Sequence, residues 1–324
     1  MKTVINIMIL GYLVLCITCV AALYIPWPEA LSLVPTILEF VPGIILIAPG
    51  VVLLVLARGA PTRWMTAVAL ALVTLFFFEF QVPILKSDDD PGIRIRIATY
   101  NIGNGPVNPR KLVSWFRDTN LDALLLQETQ SLKLTRDIPA GLNYVCGGRL
   151  CVLTQHKIKK LQNLNRQAFE GGWGSYVARF DLEIAGIVLG LYNVHLNTPR
   201  HELEFIRGRI EGVKKAARLY ALRRLESQLA SAMVEQHPQQ RSHVIIAGDF
   251  NLAQRGAIYR SYWSEYANAF DEAGLGLGAT KETRLLGARI DHILVNNQLQ
   301  VNDASVMKSL GGDHNPLVAE LTLL

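Results

Sequence analysis

Three apolar stretches open the chain, at about residues 4–24, 31–57 and 64–85. Each supplies the roughly 20 residues that a helix needs to cross hydrocarbon. A helix is the form that satisfies its own backbone within so short a span. Pro35, Pro42 and Pro49 open the second stretch to kinking or re-entry. A cleaved signal peptide competes for the first stretch, because Lys2 precedes its apolar core. The two apolar stretches that follow favour a retained anchor of about three transmembrane helices. From residue 94 the pattern changes. RIRIATY, at 94–100, alternates and then turns apolar, which predicts a strand. Residues 107–118 predict a helix with Leu112, Trp115 and Phe116 on one face. The continuous apolar run at 121–127 predicts a buried strand, and shorter strands are expected at 150–154 and 176–182. Residues 187–195 predict a strand that ends on Asn-x-His. A helix is expected over 213–235, with Ala217, Ala221, Leu225, Leu229 and Met233 as its buried stripe. Strands at 243–247, 290–295 and 317–323 close the pattern. Many strands with a few interspersed helices predict a layered α/β domain. The expected organisation is an anchor at 1–86, a linker at 87–93 and a soluble domain at 94–324.

Composition sharpens that division. Residues 1–90 hold four of the 32 Lys and Arg and six of the 27 Asp and Glu. The remaining 28 bases and 21 acids leave residues 91–324 at about +7. A basic surface of this size suits an anionic substrate such as nucleic acid, phospholipid or phosphosugar. Orientation follows the basic residues. Lys2 and the Arg58–Arg63 loop are expected in the cytoplasm, which puts residues 87–324 on the outer side after three crossings. Two crossings would return them to the cytoplasm. Cys146 and Cys151 flank GGRL, a turn-like sequence, and could close a disulfide in an oxidising compartment. Their spacing is not that of a zinc site.

Acid, amide and imidazole residues fall at the ends of the predicted strands. They are Asn101 in YNIGNG, Glu128 in LLLQET, Asn193 and His195 in YNVHLN, Asp249 and Asn251 in IIAGDFNL, Asp291 in RIDHILV, and Asp313 and His314 in GGDHNP. Glu128 is a suitable ligand for Mg²⁺ or Mn²⁺, which prefer oxygen donors. Asn101 can support the metal's shell or a phosphate oxygen. Gly248 would let the backbone turn sharply, so that Asp249 handles a water and Asn251 donates to a phosphate oxygen. Asp291 is expected to fix the tautomer of His314 and raise its basicity. Asp313 would bind a metal directly or through water, and His195 would protonate a leaving oxygen or clamp the phosphate. His156, His201, His237 and His243 read as ordinary packing or surface residues, and His292 should face the opposite side of its strand from Asp291.

These motifs, in this order, resemble the endonuclease/exonuclease/phosphatase superfamily. That group includes pancreatic deoxyribonuclease, exonuclease III-like repair nucleases, bacterial sphingomyelinases and inositol polyphosphate 5-phosphatases. The resemblance covers about residues 94–324. It implies a four-layer α/β sandwich, two central β-sheets flanked by helices, behind the N-terminal transmembrane helices. It implies a metal site at Asn101, Glu128 and Asp313, and catalytic roles for His195, Asp249, Asn251, Asp291 and His314. His195 looks like the histidine of the deoxyribonuclease and sphingomyelinase branches. Gly312 departs from the Ser or Thr common before the Asp-His pair.

The resulting expectation is a divalent-metal-dependent phosphodiesterase or nuclease in a bacterial inner or plasma membrane, its catalytic domain extracytoplasmic. Its partners would be the lipid bilayer and a phosphate ester, either nucleic acid or a phospholipid head group, with no protein partner. Basic residues at Arg207, Arg209, Lys214, Lys215, Arg218, Arg223 and Arg224 would suit nucleic acid. A phospholipid or phosphosugar phosphatase of the same fold is the alternative, and a non-catalytic tethered binding module is the third reading.

Overall fold

The structure, a computed structural model, describes residues 2–83, 92–103, 106–132, 138–169, 172, 174–200, 210–236, 242–282 and 287–324. Most of the expected linker, and Arg207, Arg209, His201 and His237, lie outside the described residues. By chain contacts there are two compact units. One joins Met1–Phe80 to Pro199–Ala221 and Ala253–Ser261; the other comprises Gln81–Thr198, Leu222–Leu252 and Tyr262–Leu324.

The second unit is an α/β sandwich of two six-stranded mixed sheets. The first sheet contains β1 (Ile93–Asn101), β2 (Ala123–Gln127), β3 (Asn143–Gly147), β4 (Leu150–Thr154), β11 (Leu299–Val306) and β12 (Leu317–Leu323), in the order β11-β12-β1-β2-β4-β3. The second contains β5 (Lys157–Asn165), β6 (Ser175–Ile184), β7 (Ile187–His195), β8 (His243–Asp249), β9 (Ala267–Asn268) and β10 (Asp291–Val295), in the order β5-β6-β7-β8-β10-β9. Each sheet has one parallel pair, β1 with β2 and β7 with β8, between antiparallel neighbours. Buried residues of both sheets, among them Ile97, Leu125, Phe180, Leu191, Ile245 and Leu317, make one core. A second cluster packs Leu112, Val113 and Phe116 of α5 (Pro109–Asp118) against Ala98, Leu124 and Leu126. Asn108 caps α5 by accepting from the backbone N–H of Arg110. Cys146 and Cys151, paired across the β3–β4 hairpin, are joined in a disulfide.

Helix α6 (Ile210–Glu235) corrects the expected stripe. Leu225 and Leu229 are exposed, whereas Arg223, Glu226 and Ser227 are fully buried. Burying polar side chains requires partners, and Arg166 supplies one by donating to Glu226 Oε1 at 2.6 Å. Arg223 is therefore not part of a cationic surface.

The first unit contains α1 (Lys2–Tyr24), α2 (Leu33–Phe40), α3 (Gly43–Leu56) and α4 (Ala60–Phe77). Helix α1 is long and apolar enough to cross a membrane, and α4 meets the same length and composition. The expected second span is not one straight helix: α2 and α3 meet at a 70° bend, where Pro42 ends helical geometry. The expected third span begins earlier, at Ala60, and ends at Phe77. Tyr12 donates to Leu46 O at 2.9 Å, and a Cβ on Gly50 would sit 2.3 Å from the Tyr12 hydroxyl. The Tyr24 and Phe76 rings meet edge to face, so α1 and α4 are parallel, and Gly43 packs on the Phe77 carbonyl, so α3 is antiparallel to α4. Residues such as Ile7, Val55 and Leu75 leave the outside of this bundle apolar, as a lipid-facing surface would be.

Ala253–Ser261 seats on the helix ends of this unit. Buried Glu39 accepts from the Ala253 N–H at 2.9 Å. Arg255 donates to Leu38 O at 3.2 Å and Val41 O at 2.7 Å, and pairs with Glu79 at 3.2 Å. Arg260 donates to Leu23 O and lies over the Tyr24 ring. Guanidinium groups thus meet the carbonyl-rich C-terminal ends of α1 and α2, where a positive charge is stabilised.

Candidate active site

Strand register assembles the site. In the first sheet Asn101 is opposite Gln127, so Asn101 and Glu128 emerge at adjacent carboxyl ends. In the second, His195 is opposite Asp249, and Asp249 is opposite Asp291, which sets three functional side chains in one row. Glu128 (φ 55°) and Asn251 (φ 51°) both hold left-handed backbone, an uncommon state for non-glycine residues that surrounding contacts must maintain. Gly248 lies within β8 rather than in a turn after it. A Cβ there would stand 1.9 Å from Val194 O on the neighbouring strand, so close backbone approach is what requires the glycine.

The two rims meet through hydrogen bonds. Asn101 Nδ2 donates to Asp249 Oδ2 at 2.8 Å and to Glu128 Oε1 at 3.1 Å. The other end of its amide accepts from the Gly103 N–H. His314 Nδ1 donates to Asp291 Oδ2 at 2.8 Å, while its Nε2 lies 3.7 Å from Asp249 Oδ2. His195 Nε2 stands 3.5 Å from Glu128 Oε1 and 3.8 Å from Asp249 Oδ2. Asn251 fixes the site from below: its backbone N–H donates to Asp249 Oδ1, and its side chain donates to Leu196 O at 2.9 Å. One amide proton of Asn251 is therefore already engaged. Asp313 is paired with Lys281 and outside the Asp249–Asp291–His314 cluster. Gly312, the departure noted in the sequence, has no room for a side chain, since a Cβ would sit 2.8 Å from Ile102 O.

Burial and neighbours shift the titrating groups apart. Burial, and then the Asp291 carboxylate, pushes Asp249 up to about 7. Burial pulls His314 down, but Asp291 and Asp249 outweigh it and raise it to about 9. His195 is pushed down to about 3 by burial and then by Arg166. Burial opposes ionisation of Asp313, yet Lys281 holds it below its ordinary range.

These residues fit a divalent cation. Asp249, Asp291 and His314 each offer a donor atom, all within 4.8 Å of one another and all buried. Asp291 Oδ1 is buried without a hydrogen-bond partner. The two carboxylates are hard oxygen donors, which suit Mg²⁺ or Mn²⁺.

Several residues at the site escaped the sequence. Gln127 donates to Asn193 Oδ1 at 2.8 Å, so Asn193 latches the sheets together. Arg166 donates to His195 O at 2.6 Å, and Glu226 accepts from Asn197. His292 does face away from Asp291's site, but it is fully buried and donates to Leu252 O at 2.8 Å, which holds the segment after Asn251. Gln127 stood inside the quoted LLLQET motif; Arg166, Glu226 and Lys281 had no local signal.

Two facing mixed sheets, with carboxylates and a buried Asp–His pair at the rim, define an α/β-sandwich phosphoesterase fold. The chain belongs to the endonuclease/exonuclease/phosphatase family, whose model matches residues 98–314. A solved endonuclease/exonuclease/phosphatase family protein from Bacteroides thetaiotaomicron is similar at 17% identity and a TM-score of 0.54, over 72% of this chain and 100% of that one. D. rerio TDP2 complexed with single strand DNA product is similar at 15% identity and 0.51, over 71% and 99%. A mannosyl-6-phosphatase from Bacteroides thetaiotaomicron VPI-5482 is similar at 18% and 0.51, over 71% and 100%. At these identities the likeness concerns the fold. No curated protein matches the chain.

Proposed function

We propose that this chain is a membrane-anchored, divalent-metal-dependent phosphoesterase that cleaves a phosphate ester by in-line attack of water. The observation that carries the reading is the unbroken run of contacts from Glu128 through Asn101 to Asp249, His314 and Asp291. These residues lie far apart in the sequence and are distributed over both sheets. Mg²⁺ or Mn²⁺, held by Glu128 beside Asn101 and the Asp249 and Asp291 carboxylates, with Asp313 left to Lys281, would supply Lewis acidity to a phosphoryl oxygen.

The chain's own groups do the rest. Asp249, raised to about 7, is poised to take a proton from the attacking water near neutral pH. His314, raised to about 9, is an imidazolium at neutral pH, oriented by Asp291 to stabilise negative charge at the phosphoryl group. The second amide proton of Asn251 serves the same charge. His195, pushed down to about 3, is neutral. It clamps the phosphate through an N–H and is a poor proton donor to the leaving oxygen.

The anchor carries three crossings, α1, α4 and the bent α2–α3 pair taken together as one broken span. The parallel α1 and α4 end where Arg255 and Arg260 bind, and Arg58 and Arg63 lie at the opposite end with Lys2. With the basic end cytoplasmic, Ala253–Ser261 and the catalytic domain lie outside. A tethered domain meets membrane substrates at high effective concentration. The burial of Arg223 interrupts the basic run on α6, which weighs toward a phospholipid or phosphosugar over nucleic acid.

The test is a panel of plasmid DNA, RNA, phospholipids and phosphosugars, assayed with the full chain in Mg²⁺, in Mn²⁺ and after chelation. Turnover of at least one class is expected with metal and not without it. Glu128→Ala, Asp249→Asn and His314→Ala should each abolish it. Undiminished metal-dependent turnover in all three variants would overturn the proposal.

A further inference from the structure

The only basic residues between positions 3 and 80 are Arg58 and Arg63, at the α3–α4 turn. Both are exposed, and among the described residues neither is paired with a carboxylate. Arg63 Nε donates to Ala57 O at 3.2 Å, which orients its guanidinium and leaves its other N–H groups for a ligand. Glu39 and Glu79 are committed at the other end of the bundle, to Ala253 and Arg255. Two uncompensated cations therefore share one turn.

A cavity of ≈ 580 Å³ opens beside them. Arg58 and Arg63 supply the charge of its lining, and Leu54, Trp64 and Ala67 its larger apolar part. Trp64 is 72% exposed. An exposed indole beside guanidinium groups at a helix end matches the boundary between hydrocarbon and head groups, where tryptophan is enriched. The N-terminal end of α4 adds unpaired backbone N–H groups to the same place, but the cavity and the two guanidiniums make the site.

We propose that this cavity binds the phosphodiester head group of an anionic membrane phospholipid, with an acyl chain lying along Leu54 and Ala67. Guanidinium binds phosphate through parallel hydrogen bonds, and basic pockets between membrane helices on the cytoplasmic side take anionic lipid heads. The apolar wall favours a lipid over free phosphate, because an inorganic ion would leave that wall bare. The lining shares no residue with the carboxylate cluster and has no hydrolytic group, so the lipid is a bound anchor there and not a substrate. This inference rests on the membrane part of the proposed function.

Full-length protein in a neutral detergent would be titrated with phosphatidylglycerol or phosphatidylcholine and the bound lipid counted by native mass spectrometry. Phosphatidylglycerol should bind at least about tenfold more tightly. Arg58→Gln/Arg63→Gln should remove that preference, whereas Lys214→Gln/Lys215→Gln should keep it. A circular dichroism spectrum checks that each variant folds, and Arg58→Lys/Arg63→Lys, which keeps the charge, should retain part of the preference. A preference unchanged in the Gln double variant overturns the site, and so does loss of bound phosphatidylglycerol to millimolar inorganic phosphate. Flotation with neutral phosphatidylcholine vesicles separates the two claims. Flotation of wild type without lipid preference defeats this inference alone; failure to float defeats the membrane reading with it.

Discussion

Asn101 donates to Asp249 across the sandwich at 2.8 Å, and this bond joins the working rims of the two sheets. The same amide reaches Glu128, so one residue sets the spacing between an expected metal ligand and the expected base. Asn101→Ala would leave a buried carboxylate without its donor and the Gly103 N–H without its acceptor. Such losses cost about 1–3 kcal/mol in stability, and misplaced groups at a preorganised site cost about 10²-fold in rate. The expected outcome is a folded variant with kcat reduced on the order of a hundredfold and a lower Tm, read from steady-state kinetics and thermal melting. Wild-type kcat in this variant would show that the bridge has no catalytic role.

The histidines should separate in solution. His195 is pushed down to about 3 and His292 to about 4, in both cases chiefly by burial. His314 is carried up to about 9 by its carboxylate neighbours. Between pH 5 and 7 in metal-free protein, none of these three imidazoles should show the large NMR shift of its own protonation. Linkage gives the sign for stability. A depressed histidine contributes stability fully above about 6.5, its unfolded value, and that contribution is lost as pH falls through the folded value. For His292 this amounts to on the order of 3 kcal/mol. Whatever the other groups contribute, the Tm of wild type minus that of His292→Phe should therefore fall as pH drops from 6.5 to 4. Equal slopes in the two proteins would refute the assignment to His292.

Much of this site was legible because of how parallel strands are buried. β2 and β8 lie inside the sandwich, so LLLQ and HVIIAG read as continuous apolar runs. Their polar residues then stand out at the strand ends. β5 was missed because its residues are mostly exposed and polar, with no apolar alternation to read. The buried face of α6 was misjudged for the converse reason. Glu226 is buried because Arg166, 60 residues earlier, meets it there, and no local period records a partner so distant. Lys281 and Asp313, 32 residues apart, pose the same difficulty. Asp313 could be read from its motif; the lysine that neutralises it could not. In the helical unit the prolines marked the second stretch as breakable, but nothing local marked the distant Ala253 and Arg255 that take up Glu39 and the Val41 carbonyl beside the bend.

Divalent cation should stabilise the protein more at high pH than at low. The Asp249 carboxyl is raised from an ordinary 3.8 to about 7 by burial and by Asp291. A raised acid contributes stability that is complete below its unfolded value and lost as pH climbs through the folded one. The contribution of Asp249 in metal-free protein should thus decline between about pH 4 and 7 as this buried carboxylate is forced to ionise. A bound cation favours the ionised form and offsets the loss. Millimolar Mg²⁺ or Mn²⁺ should raise Tm by several degrees at pH 8 and by little at pH 5, with the difference removed by chelation and reduced in Asp249→Asn. An increase of the same size at both pH values would mean that the cation binds elsewhere.

Arg255 should be the residue on which the helical unit most depends outside its own helices. It accounts for hydrogen bonds to Leu38 O and Val41 O and for an ion pair with Glu79, with only 12% of its side chain exposed. A cation at a helix C-terminus contributes up to about 2 kcal/mol when partly buried, and losing it would leave Glu79 without its partner as well. Arg255→Ala is therefore expected to lower stability by about 2–4 kcal/mol, seen as a lower melting temperature in detergent and faster proteolysis between α2 and α3. Arg255→Lys keeps the charge but cannot span two carbonyls with a planar fork, so it should fall between wild type and alanine. If both variants melted with wild type, the carbonyl contacts would be incidental, and the common end assigned to α1, α2 and α4 would need support from a reporter fused after Leu324 instead.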